Sequence, residues 1–207
     1  MSGQRSAALA GVLYVALDVV VGVTAGAPPP PSAPESEILA YLTGHRAGLA
    51  AGLWLFGLAS ILLLWWFGSL WARMVRAESG AARLAVVSLA GLLLGGTMSF
   101  ASAVVLASLA LTERPEAVVA FYTLGAVFLS TAGFGLGAHL VATNILAVRH
   151  AMLPAWLVVT GLLSAVAFVV SAVLGAVSND ATSNTVSLVG FVLWLAWILG
   201  VSQQMWT

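Results

Sequence analysis

Six long apolar runs dominate the chain, and the short segments between them carry most of the charges and prolines. The runs cover residues of roughly 6–26, 47–71, 84–111, 117–147, 152–177 and 185–205. Each has about the 20 residues that an α-helix needs to cross ~30 Å of hydrocarbon. Lipid cannot satisfy backbone polar groups, and the runs lack the alternating polarity of barrel strands. The pattern predicts an all-α membrane protein, a single transmembrane domain over 1–207 built as a bundle of six helices.

The composition agrees with this prediction and excludes several kinds of function. Hydrophobic residues make up 61% of the chain and charged residues only 7%, whereas a soluble domain has a charged fraction near a quarter. Most of the surface must therefore face lipid, so the bilayer is the first expected partner. The formal net charge is zero and no basic stripe is present, which argues against a nucleic-acid partner. The chain has no cysteine, which excludes disulfides, thiolate metal sites and thiol nucleophiles.

The distribution of arginines predicts that both ends of the chain lie in the cytoplasm (N-in/C-in). With the N-terminus inside, Arg46 and Arg114 lie outside, and the other five are cytoplasmic: Arg5, Arg73, Arg76, Arg83 and Arg149. An excess of basic residues marks the inner side. We expect a group of tryptophans to anchor the inner interface: Trp65, Trp66, Trp71, Trp156 and Trp206. The first run exceeds the 7–15 residues of a signal-peptide core, so it is expected to stay as an anchor.

The longest connection, residues 27–46, is expected on the outer side. Its PPPPSAP stretch favours extended backbone. Ser32, followed three residues later by Glu35, resembles a capping box at the start of a short helix. The apolar side chains of that helix are expected to rest on the membrane surface: Ile38, Leu39, Tyr41 and Leu42. The segment would then be an interfacial connector, or a lid over an outward opening.

Small residues at intervals of three or four predict close packing between helices. The clearest sets lie on single faces of three runs, and they comprise Gly48 and Gly52, Gly91 and Gly95, and Gly133 and Gly137. Helices in lipid gain little from hydrophobicity against one another, so close backbone approach matters. We interpret the glycines as seams inside the bundle. The alternative use is contact with a second copy of the chain or with another subunit of a membrane complex.

Two ionisable side chains stand inside the apolar runs, and they are the candidates for chemistry. Asp18 lies thirteen residues beyond Arg5, and His139 ten residues before Arg149, which places them at similar depths, roughly 20 and 15 Å along their helices. Tyr14 shares a face with Asp18, and Thr143 shares one with His139. Such groups normally face inward and find a partner. The hypothesis is an Asp18–His139 pair that lines a cavity as a proton relay, ligand contact or metal site, and the alternative is two locally hydrogen-bonded side chains.

No catalytic residue can be assigned from the sequence. No Ser/His/Asp order, paired carboxylates or phosphate-binding loop can be assembled, and the absence of lysine excludes Schiff-base chemistry. A histidine without a second ligand at metal-binding spacing is weak support for a metal. The sequence thus gives no reason to expect a metal or a cofactor, and an enzyme is the less favoured reading.

Three stretches resemble a known group of proteins. They are EILAYLTGHRAGLAAGLWLFGLASILLLWWFGSLWARM (37–74), RHAMLPAWLVVTGLLSAV (149–166) and LVGFVLWLAWILG (188–200). These are similar to uncharacterised small integral membrane proteins of actinobacteria, which belong to families of unknown function. The resemblance implies six helices and a multi-pass protein of the bacterial inner (plasma) membrane. It implies no activity and no functional residue.

Three functions remain open at this point. The first is binding or transport of a small or lipophilic molecule through an intramembrane cavity near Asp18 and His139. The second is a non-catalytic accessory or scaffold subunit, held in a membrane complex by the glycine seams. The third is a membrane enzyme that acts on a lipid or isoprenoid.

Overall fold

The computed structural model describes residues 3–111, 118–177 and 181–206, and this part of the chain contains seven helices and no strand. The helices are α1 (Gly3–Ala25), α2 (Glu35–Gly44), α3 (Arg46–Glu78), α4 (Arg83–Leu111), α5 (Val118–Arg149), α6 (Ala155–Val177) and α7 (Ala181–Trp206). All except α2 are long and apolar enough to cross a membrane. The prediction of an all-α bundle of six membrane-spanning helices is confirmed.

The six long helices form a closed ring. Each packs against the next in the chain, and α7 returns to pack against α1, while α2 contacts α3, α4 and α5. Five arginines belong to helix ends at one side of the ring, which we call the arginine end: Arg5, Arg73, Arg76, Arg83 and Arg149. The opposite side, with α2 and the proline segment 28–31, is the loop end. Arg114, which the sequence placed there, lies outside the described residues.

Large apolar side chains cover the outside of the ring. Trp54, Ile61 and Val166 are more than half exposed, and many Leu and Val residues of the other helices are similarly uncovered. A soluble protein seldom exposes apolar surface on this scale. The outer surface is thus suited to contact with lipid acyl chains, as a multi-pass membrane protein requires.

The short helix α2 lies on the bundle and not on the membrane surface. Ile38, Tyr41 and Leu42 are buried in a cluster with Leu109 and residues of α5, so the expected membrane-surface contact is wrong. The capping box is also wrong, because α2 begins at Glu35 with Pro34 as its N-cap residue and no side chain caps it. Pro34 fixes the backbone for the first turn without offering a side-chain acceptor.

Glycines allow close contact between neighbouring helices of the ring. At Gly91 an added Cβ would lie 2.6 Å from the Gly135 carbonyl oxygen and 2.7 Å from the His139 nitrogen. Four others of the predicted set also lie against a neighbouring helix: Gly48 on the Thr24 carbonyl, Gly95 on Leu136 and Ala132, Gly133 on the Phe168 carbonyl, and Gly137 on Val169. Gly52 is looser, since only a Val21 methyl comes within 4 Å, at 3.8 Å. These glycines pack within one chain.

Replacing Gly91 by alanine should separate α4 from α5. The added methyl group would meet backbone atoms, which cannot move aside as a flexible side chain can, so we expect a loss of about 1–3 kcal/mol. Thermal unfolding in detergent measures it. The matched control is Gly96→Ala in the same helix, where nothing lies within 4 Å of the added Cβ. Equal melting temperatures for the two variants would contradict this account of the seam.

The connection between α3 and α4 is held by a carboxylate. Glu78, the last residue of α3, accepts hydrogen bonds from the backbone N–H groups of Leu84 (3.0 Å) and Ala85 (2.8 Å). These N–H groups belong to the first turn of α4, where the backbone N–H groups have no carbonyl acceptor within the helix. Ser79 and Ala82 adopt positive φ angles of 41° and 46°, so the turn is tight. The negative charge also complements the positive end of the helix dipole.

Glu78→Ala should lower the stability of the bundle by about 1–2 kcal/mol, because it removes both bonds to the start of α4. Glu78→Gln keeps one acceptor and should lie between the alanine variant and the native protein. Thermal unfolding of the three proteins in the same detergent checks the order. Gln203→Ala, an exposed change near the same end, serves as control. If Glu78→Ala unfolds at the temperature of that control, the cap does not stabilise the fold.

Candidate functional site

His139 lies at the centre of the ring and is fully buried. Its Nδ1 atom is 2.8 Å from the Ser88 hydroxyl and 3.1 Å from the Ser88 carbonyl oxygen. The Ser88 hydroxyl is also 2.9 Å from Thr143 Oγ1, which donates to the His139 carbonyl oxygen at 2.8 Å. Three buried side chains from α4 and α5 thus form one hydrogen-bonded group. The predicted relation between His139 and Thr143 is seen directly, and Ser88 is the member that the sequence did not identify.

Aromatic rings surround the imidazole. The ring centroids of Phe67, Trp194 and Trp197 lie 5.3, 5.4 and 6.0 Å from that of His139, each at a steep angle to it. Trp66 stands edge-on to Trp197 at 5.9 Å. We call these residues, together with Tyr14, the aromatic core. They come from α1, α3 and α7, so they fill the interior of the ring near the arginine end. Trp66 is fully buried here, and the prediction that it anchors the interface is wrong.

Asp18, which belongs to α1, borders the aromatic core. It is 3% exposed and forms a side-chain hydrogen bond with Tyr14, one turn earlier. The Trp194 indole N–H in turn donates to the Tyr14 hydroxyl at 3.2 Å. The other carboxyl oxygen, Oδ2, is buried and has no hydrogen-bond partner among the described residues. A carboxyl group therefore lies inside the bundle with half of its bonding capacity unused.

The structure places the four predicted residues in one region, but it does not pair Asp18 with His139. Trp194 stands between the two groups, since it bonds to Tyr14 on one side and packs on His139 on the other. An indole N–H donates a hydrogen bond but does not accept one, so this route does not relay a proton. Asp18 with Tyr14, and His139 with Thr143, are separate centres in one aromatic core.

Several buried polar atoms of this region have no partner in the described part of the chain. Besides Asp18 Oδ2 they are Trp66 Nε1, His139 Nε2, Asn144 Oδ1, Trp197 Nε1 and Ser202 Oγ. They come from four different helices of the ring. Buried polar atoms are satisfied in more than nine cases of ten in known structures. Their concentration around the aromatic core distinguishes this region from the apolar contacts elsewhere in the ring.

A pocket of about 60 Å³ lies at the loop end, between α4, α5, α6 and α7 and beneath the proline segment. Its lining is mostly apolar, from the prolines and aliphatic side chains, and it also includes uncharged polar residues, namely Ser102, Tyr122, Ser130, Ser171, Asn184 and Ser187. No sequence pattern indicated it, because the serines are spread over four helices.

One tyrosine holds the proline segment over this pocket, and another holds the end of α1 beside it. Tyr122 donates from its hydroxyl to the Pro29 carbonyl oxygen at 2.6 Å, and Tyr41 donates to the Ala25 carbonyl oxygen at 2.9 Å. Burial raises the pKa of Tyr41 to about 12, so its hydroxyl keeps the donating proton at neutral pH. The segment between α1 and α2 thus covers the loop end of the helix ring. This is the position expected of a lid over an outward opening.

No three of the His, Asp and Glu side chains come together as a metal site within residues 3–111, 118–177 and 181–206. Comparison of the chain with protein-family models, with curated proteins and with solved structures finds no match. The functional argument therefore rests on the geometry of the aromatic core, Asp18 and the loop-end pocket.

Ser88→Ala should destabilise the protein by roughly 1–3 kcal/mol, because it removes the hydroxyl group that bonds to the buried side chains of His139 and Thr143. The loss should appear as a lower melting temperature in detergent. Ser108→Ala is the matched control, an exposed serine on the same helix, and it should have little effect. A Ser88 variant as stable as the Ser108 variant would contradict the assignment of a bonded group around His139.

Proposed function

We propose that this protein binds a small molecule inside the membrane and carries it across, with Asp18 as the group that the molecule or a proton meets. The observation that carries the proposal is the buried carboxyl group with one oxygen that has no hydrogen-bond partner among the described residues. A charge at the bilayer centre is costly, so intramembrane acids occur mainly in substrate, ion and proton pathways. A bundle that served only as a scaffold would gain nothing from such a group.

The arrangement of the ring supports transport over simple binding. The loop end has a pocket with several hydroxyl groups in its lining, beneath a hydrogen-bonded cover, and the arginine end is filled by the aromatic core. A closed ring with a pocket at one end and bulky side chains that fill the other resembles one conformation of an alternating cycle. Asp18 lies one turn beyond Tyr14 of the aromatic core, on the side of the loop end.

The proposal places the protein in a bacterial inner membrane, with the arginine end in the cytoplasm and the loop end outside. The five arginines of the arginine end support this orientation through the positive-inside rule. Only one acid of the described chain, Glu78, belongs to that end, and it is engaged with the start of α4. The pocket at the loop end then receives molecules from outside.

A thermal-shift screen of a chemically diverse small-molecule library tests the proposal. A ligand present at a hundred times its Kd stabilises the protein that binds it by about 2.7 kcal/mol, which raises the melting temperature measurably. We expect ligands that stabilise the native protein and have no effect on Asp18→Asn. Native mass spectrometry of the purified protein identifies any molecule that it retains.

The matched control is Glu35→Gln, which makes the same acid-to-amide change at an exposed residue of α2. It should keep every stabilising ligand of the native protein. The proposal fails if no ligand depends on Asp18, or if the Asp18 and Glu35 variants respond alike. Proteoliposomes loaded with a confirmed ligand then separate transport, which gives efflux, from binding alone.

A further inference from the structure

We infer that the ligand of Asp18 is a monovalent organic cation of the substituted-ammonium class. The inference rests on the proposed function and specifies its substrate. It follows from the groups that surround the Asp18 carboxyl. These groups carry no positive charge, and several of them are electron-rich aromatic rings.

The described chain provides no cation to pair with Asp18. It contains no lysine, α3 has no ionisable side chain between residues 47 and 72, and α7 has none over 181–206. The nearest arginine on α1, Arg5, lies thirteen residues away, which is roughly 20 Å along the helix. Tyr14 is the titratable neighbour, and it is a hydrogen-bond donor to the carboxyl. The ionised form of Asp18 therefore needs a cation from outside the protein.

Aromatic rings next to the carboxyl provide the second half of a cation site. Tyr14 bonds to Asp18 directly, and Trp194 bonds to Tyr14. Trp197 stacks on Trp194 with centroids 5.6 Å apart, so the rings form a continuous wall. Ring faces attract ammonium groups through their quadrupole, and tryptophan does so best, most strongly where water is excluded. An acid beside an aromatic wall selects an organic cation over a neutral molecule or an anion.

The seam between α1 and α3 is loosest about one turn from Asp18. Gly52 of α3 is buried, yet an added Cβ would find only a Val21 methyl group within 4 Å, at 3.8 Å. The other glycine of this seam, Gly48, is in tight contact with the Thr24 carbonyl. The loose place at Gly52 and the unpartnered Asp18 Oδ2 are thus separated by a single turn of α1.

Binding at this site is an exchange of one cation for one proton. When the carboxyl carries a proton, the cation enters, the O–H bond of Asp18 breaks, and the proton leaves to solvent, so the charge of the site is unchanged. No oxidant, reductant or covalent step is involved. The exchange keeps the interior neutral in both states, as burial in lipid demands.

The experiment compares benzyltrimethylammonium with its neutral isostere neopentylbenzene and with the anion benzenesulfonate, each titrated into the full-length protein in detergent and followed by tryptophan fluorescence. We expect the cation to bind at least tenfold more tightly than the isostere, and the anion not to bind. In weakly buffered solution each bound cation should release up to one proton. Binding should weaken as the pH falls, because protons compete for Asp18.

Variants locate the site. Asp18→Asn should lower the affinity for the cation at least tenfold, Asp18→Glu should restore part of it, and Glu35→Gln should leave it unchanged. Gly52→Leu should fill the loose place and also weaken binding. Gly96→Leu, where nothing lies within 4 Å, is its control. Melting temperatures of all variants show that each is folded.

The inference is overturned if the neutral isostere binds as tightly as the cation, or if Asp18→Asn binds the cation like the native protein. It is also overturned if no quaternary ammonium ion binds while the library screen gives neutral ligands that depend on Asp18. In that last case the proposed function stands and only the ligand class is wrong. Absence of both kinds of ligand overturns the two together.

Discussion

Lipid offers no hydrogen bonds, and this constraint determines how the molecule is built. Every backbone group must be satisfied within a helix, and every polar side chain must turn toward the inside of the ring or bond one turn back along its own helix. Thr131 and Thr160 bond to a carbonyl oxygen one turn back along their own helices. Ser88, Thr143 and His139 face the inside of the helix ring and bond to one another. The polar interior is possible only because the ring is closed and the glycines bring its helices close together.

The two ends of the interior meet this constraint in different ways. Near the arginine end, wide indole rings fill the space, and several buried polar atoms have no hydrogen-bond partner among the described residues. At the loop end, small serines leave a pocket, and the proline segment covers it through a hydrogen bond from Tyr122. Bulky aromatic side chains at one end and small hydroxyl groups at the other make the two ends of the helix bundle different. A symmetrical scaffold does not require such a difference.

Hydropathy and charge predicted the six long helices, because each must be long enough to cross the hydrocarbon of the membrane. The ends were predicted less well, since α3 runs to Glu78, seven residues beyond the predicted end at 71. Hydropathy and charge also predicted that Asp18 and His139 face inward, since lipid excludes the alternative. Rotation of the helices was harder to predict. Helices that are apolar all round carry little directional signal, so Trp66 was assigned to the interface although it is central, and Ser88 was not identified as a partner of His139. The burial of α2 depends on contacts with Leu109 and α5 that are distant in sequence.

The contrast between the two buried ionisable groups is the strongest guide to function. His139 is bonded at Nδ1 to both the hydroxyl and the carbonyl oxygen of Ser88. The histidine thus fits a structural role in joining α4, α5 and α7. Within the described part of the chain Asp18 bonds to Tyr14 alone, and no ring face can satisfy a carboxylate oxygen, because the face is itself negative. A group that the fold leaves unsatisfied is the one at which an external proton or cation gains most by binding.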